Sequence, residues 1–206
     1  MRSQFMRLVL AASLVAALSG CAKTNLTNLW KNPEAAPLEN ILVVSLERDP
    51  DLRRMWEDAI TAEFQANGVM ARPGYALFPS QLPDSQQVVS VARRDRYDGV
   101  VVTHRLTLTE TGAFDSDYAK NAPGGSNDYW RGWYHTHYMQ ATTAAPAGDE
   151  DARFQIDVAN AAGRGTLLWM GSTTPIKVDD EKKLRAQVCG ELVSELTRQG
   201  LVAKRK

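Results

Sequence analysis

The sequence predicts an α/β domain, bordering on α+β: one mixed β-sheet with helices packed on its faces. Three observations carry that reading. Ile41-Leu42-Val43-Val44 and Val100-Val101-Val102 are continuous β-branched runs, the pattern of strands buried on both faces. Helical periodicity follows the first run and precedes the second, which suggests right-handed parallel crossovers. Residues 154–173 read as an antiparallel hairpin. The expected order is β-α-β-α-β-β-β-α, in a single domain over residues 41–202.

The strand from Ile41 to Leu46 opens the domain. Asp49 offers an N-cap, Pro50 suits the first helical position, and Gly68 supplies the stop, so a helix is expected to Asn67. Leu52, Met55, Trp56, Ala59, Ile60 and Phe64 share its apolar face, with Arg53, Arg54, Glu57 and Asp58 turned away. Val69 to Arg72 makes a short strand. Asp84 caps a second helix to Arg96, and Asp98-Gly99 turns into a strand running from Val100 to Thr109.

Residues 112–138 read as a long aromatic-rich loop, with a strand expected over Tyr138–Thr142. Phe154, Ile156 and Val158 alternate, and Ala162-Gly163-Arg164-Gly165 turns the chain into Thr166–Thr173. The last helix opens at Asp179 or Asp180 and ends at Gly200. Leu184, Val188, Cys189, Leu192, Val193 and Leu196 form its buried stripe.

Residues 1–20 have the layout of a secretory signal: Arg2 and Arg7, an apolar run from Leu8 to Leu18, then small residues. The run is shorter than the ~20 residues that span a bilayer. Leu18-Ser19-Gly20-Cys21 resembles the lipobox of bacterial lipoproteins, in which the cysteine is lipidated and becomes the mature N-terminus. The alternative is an ordinary signal cut elsewhere, leaving a soluble periplasmic protein. One acyl chain holds marginally and two or more hold stably. Lipoproteins of this kind carry three, so the resemblance implies a permanent anchor in the bilayer. It also implies the periplasmic face of an outer membrane, because Ala22 rather than Asp follows the cysteine. Residues 21–40, rich in Asn, Thr and Pro, read as the lipidated cysteine and its tether, with a stretched reach of about 60 Å. Trp30 is expected to dock back on the domain.

A chain of 206 residues suits one domain with a tail. Its 24 Lys+Arg balance 24 Asp+Glu, which leaves no basic footprint for nucleic acid. With Cys21 acylated, Cys189 has no partner and is expected buried.

Trp30-Lys31-Asn32-Pro33, Ile41-Leu42-Val43-Val44, Asp51-Leu52-Arg53-Arg54-Met55-Trp56-Glu57 and Asn67-Gly68-Val69 resemble a group of uncharacterised bacterial lipoproteins. Gln155-Ile156-Asp157-Val158 and Leu168-Trp169 fit the same pattern. The element order is similar to the N-terminal domain of the TolB translocation protein and to domains of curli-secretion and penicillin-binding-protein-activator lipoproteins. That resemblance implies binding to partner proteins of the envelope. No propeller follows the domain and no pair of long membrane-inserting hairpins is evident, so a pore is not expected.

Four groups of residues are candidates for chemistry. Tyr129, Trp130, Trp133, Tyr134 and Tyr138 crowd a short span, either as an exposed protein or glycan surface or folded over the sheet as a satellite core. In an extended segment His135 and His137 would project from one side and offer two metal ligands, although no zinc spacing accompanies them. His104 shares register with Val100, Val102 and Leu106 and reads as a satisfied sheet histidine; no Gly-x-Ser-x-Gly elbow gives it a nucleophile. Glu57/Asp58 and Asp179/Asp180/Glu181 read as solvated faces or caps, and Gly163 and Gly165 open no phosphate-binding helix, so no cofactor is expected.

The function expected is a membrane-anchored, non-catalytic docking or assembly module, with an envelope protein or peptidoglycan-associated partner. The alternative is a metal-binding lipoprotein using His135 and His137, and last a cell-wall hydrolase.

Overall fold

The computed structural model describes residues 26–106, 129–143, 153–161, 165–174 and 181–203. Cys21, Asp179 and Asp180 lie outside them, as does most of the expected aromatic loop. The fold is α/β, with one mixed six-stranded sheet in the order β1-β6-β5-β4-β2-β3. The strands are β1 (Leu26–Lys31), β2 (Asn40–Ser45), β3 (Met70–Pro73), β4 (Gly99–Leu106), β5 (Arg153–Asn160) and β6 (Leu167–Thr173). The helices are α1 (Pro50–Ala66), α2 (Ser85–Arg94), α3 (His135–Thr143) and α4 (Glu181–Arg198). None of the described helices is long and apolar enough to cross a membrane.

β3, β2 and β4 are parallel, and β4, β5, β6 and β1 alternate antiparallel. Ser45, Pro73, Leu106, Arg153, Thr173 and Leu26 therefore lie at one end of the sheet. Asn40, Met70, Gly99 and Asn160 lie at the other. Two apolar layers sandwich it. Trp56, Ile60 and Phe64 of α1 join Leu184, Val188, Leu192 and Leu196 of α4 on one face. Val88 and Ala92 of α2 join Tyr129, Trp130 and Tyr134 on the other.

Local signals account for the helix ends. The Asp49 side chain accepts from the backbone N–H groups of Asp51 and Leu52, and Gly68 leaves the helix at φ 83°. Asp84 and Gln87 cap α2 reciprocally. In α4 the expected stripe is buried throughout, Cys189 included.

Three expectations are corrected. Residues from Leu26 on belong to the domain and not to the expected tether over 21–40: Leu26–Lys31 is an edge strand on β6, and Leu38 is buried. A bulge between Asn28 and Trp30 hides the strand's period, and Trp30 docks against the α2-side layer as expected. Tyr138–Thr142 is helix, not strand, so the element between β4 and β5 is α3. Arg53 and Glu57 do not face solvent; they are 5% and 0% exposed.

Candidate functional site

Polar side chains gather where β4 and β5 meet beneath the helical segment 129–143. Within β4 and β5, side chains alternate between faces, so Val102 and His104 point the same way. Gln155 stands directly opposite His104, and Asp157 opposite Val102. All three polar residues are buried. Phe154, Ile156 and Val158 enter the other layer, so β5 is covered on both sides.

The cover opens with a five-residue π-helical turn, Trp130–Tyr134, closed by Tyr134 N–H donating to the Tyr129 carbonyl at 3.0 Å. This turn, followed by α3, carries Tyr129, Trp133 and His137 inward. Tyr129 Oη donates to Asp157 Oδ2 at 3.0 Å, and Trp133 Nε1 donates to the same oxygen. Gln155 Nε2 donates to Oδ1 at 2.9 Å. Burial raises the Asp157 pKa to about 6, although Gln155, Trp133 and Tyr129 all pull it back. With both oxygens engaged, Asp157 ties the cover to the sheet.

His137 lies with its ring centroid 4.6 Å from that of His104 and 3.9 Å from that of Trp133, whose ring meets it edge-on. Burial first, then His104, lowers the His137 pKa to about 3, which keeps the imidazole neutral at physiological pH. Gln140 biases the ring slightly toward protonation, yet neither ring nitrogen has a hydrogen bond of ordinary geometry.

A second buried polar site joins α1 to the carboxyl end of β2. Glu57 Oε1 accepts from Arg53 Nε and from Ser45 N–H, both at 3.0 Å, and Oε2 accepts from Tyr75 N–H at 2.5 Å. Arg53 Nη1 donates to the Phe78 and Gln81 carbonyls. The pair clamps the chain after β3 against the sheet. Burial nevertheless raises the Glu57 pKa, against the pull of Arg53.

The aromatic cluster is a roof. Tyr129, Trp130 and Tyr134 are buried, while Trp133 and Tyr138 are partly covered. Trp130 Nε1 donates to the Asn160 carbonyl and Tyr134 Oη to the Pro83 carbonyl. The paired-histidine expectation is also corrected: on a helix, residues two apart diverge, so His135 is exposed and His137 is inside. Among the described residues no cluster of three or more His, Cys, Asp or Glu could hold a metal.

Sequence reasoning missed Gln155 and Asp157 as buried groups. The signal for them was two polar residues alternating with Phe154, Ile156 and Val158 opposite His104.

No family model matches the chain, and no curated protein matches it. Among solved structures it is similar to PelC dodecamers from Paraburkholderia phytofirmans. A point-variant form in space group C2 has 11% identity and a TM-score of 0.46, covering 84% of this chain and 98% of that one. A form in space group P6 has 9% identity and a TM-score of 0.46, covering 88% and 99%. At that level of likeness nothing about activity or assembly carries over.

Proposed function

We propose that this chain is a lipid-anchored envelope protein serving as a non-catalytic docking or assembly module. The observation that carries the proposal is Leu18-Ser19-Gly20-Cys21 standing five residues ahead of Leu26, where the chain joins the sheet edge. Leu26 N–H donates to Glu191 of α4, so the domain begins close behind the anchor. The buried polar residues support the docking reading, since Asp157 and Glu57 bind their own chain.

The contact surface fits the outer side of the helical cover. Arg131, His135 and Met139, spaced by four residues, are exposed there, flanked by the partly covered Trp133 and Tyr138. A photo-crosslinker at Met139 in the native envelope tests the docking role. One reproducible protein or peptidoglycan adduct, lost in Tyr138→Ala, supports it; no adduct above that of a crosslinker at Gln65 on α1 contradicts it.

A further inference from the structure

The turn that ends α1 holds Asn67-Gly68, and no other asparagine of the chain precedes a glycine. Glycine carries no side chain to shield its backbone nitrogen, which lets that nitrogen approach the Asn67 carboxamide carbon. In the folded chain both groups are engaged elsewhere. Asn67 Nδ2 donates to the Glu63 carbonyl at 2.9 Å and to Glu63 Oε1 at 3.2 Å. Gly68 N–H donates to the Gln65 carbonyl at 3.0 Å. Asn67 has ψ 8°, so the Gly68 nitrogen nearly eclipses the nitrogen of Asn67 itself. Cβ then lies well out of the plane that a five-membered ring through Cγ requires. Turning that bond redirects the chain at Gly68 and breaks the bond from Val69 N–H to the Phe64 carbonyl. Gly68 is exposed and Val69 is buried, so the rotation needs the last turn of α1 to fray.

We propose that Asn67–Gly68 is a deamidation site whose reaction runs through the frayed end of α1. The Gly68 nitrogen attacks Asn67 Cγ and passes its proton through solvent to Nδ2. The Cγ–Nδ2 bond breaks and ammonia leaves. Water then opens the succinimide at either carbonyl, giving aspartate or isoaspartate. Neither product suits the turn. Aspartate puts a carboxylate where Nδ2 now meets Glu63 Oε1, at the negative end of the helix dipole. Isoaspartate adds a methylene to the main chain just ahead of buried Val69 and of Met70, whose N–H donates to the Glu39 carbonyl beside β2.

The test incubates the full chain at mildly alkaline pH, folded or in guanidinium chloride, and follows the peptide holding Asn67 by mass spectrometry. The unfolded chain is expected to convert the amide to acid, with isoaspartate among the products. Conversion in the folded chain is expected to be at least tenfold slower, and absent in Asn67→Gln. No conversion in denaturant overturns the site, and equal rates in the two states overturn the restraint by the helix end. Gln65→Gly weakens the last turn and removes the bond from Gln65 Nε2 to the Ala71 carbonyl. It is expected to raise the folded-state rate at least threefold; an unchanged rate overturns fraying as the route. Asn67→Asp, which fixes one product in place, is expected to lower Tm. A Tm equal to or above that of wild type overturns the misfit of the product.

Discussion

His104 on β4 and His137 on α3 hold their rings 4.6 Å apart at 47° inside the protein, and Trp133, whose ring meets that of His137, donates to Asp157. Burial moves His137 and Asp157 in opposite directions, the histidine down to about 3 and the carboxyl up to about 6. Folding with neutral His137 costs stability as pH falls from about 6.5 toward 3, because the unfolded chain binds the proton first. Folding with buried Asp157 costs stability above about 6, and that cost is relieved as pH falls toward 3.8.

The two effects nearly cancel between pH 6 and 4, at about 1.4 kcal/mol per proton per pH unit. Relative to wild type over that interval, His137→Phe should gain about 2 kcal/mol on acidification and Asp157→Asn should lose about 2 kcal/mol. Urea unfolding at several pH values checks this. Parallel curves for all three proteins would refute it.

Breaking the Arg53–Glu57 pair strands a buried charge. Arg53→Met or Glu57→Leu alone should cost about 3–5 kcal/mol, and the double variant less than the sum by at least about 1 kcal/mol. A double-mutant cycle by denaturant unfolding reads the coupling. Additive losses would mean the pair acts only through its separate backbone contacts.

The aromatic roof should behave as core. Gly165 sits at φ 83°, and a Cβ there would come 2.1 Å from the Trp130 ring. Trp130→Ala should cost about 3–5 kcal/mol by leaving a cavity. Gly165→Ala should cost about 2–4 kcal/mol through overpacking and strain. Met139, 44% exposed, should tolerate alanine within about 0.5 kcal/mol. Equal, small effects at Trp130 and Met139 would return the cluster to the surface.

Cys189 is buried, and burial pushes its thiol up to about 12. Folded protein should resist alkylation at pH 8 and react fully in denaturant. Fast modification of the native chain, followed by mass spectrometry, would contradict the packing of α4.

The sequence made legible what neighbours along the chain decide. Asp49, Pro50 and Gly68 bound α1 by contacts within a few residues, and the α4 stripe follows one period. Arg53 and Glu57 were misplaced because their partners, Ser45, Tyr75, Phe78 and Gln81, arrive from outside the helix. Burial of a charge follows from such partners and leaves no periodic trace. β1 escaped notice because an edge strand with a bulge and polar Thr27, Asn28 and Lys31 carries a weak pattern. Tyr138–Thr142 reads as strand only through Tyr138 and Thr142; Met139, Gln140 and Ala141 between them are good helix formers, and the segment is helix. The His104–His137 contact depends on the long return of the chain over β4, which no local signal records.

The lipid anchor at Cys21 is the claim on which the proposed docking role depends. Intact-mass and N-terminal peptide spectrometry of protein isolated from membranes tests it most directly. The expected result is a mature chain beginning at Cys21, carrying a thioether-linked diacylglycerol and an amide-linked acyl chain. A mature N-terminus at another residue, or an unmodified Cys21, would contradict it.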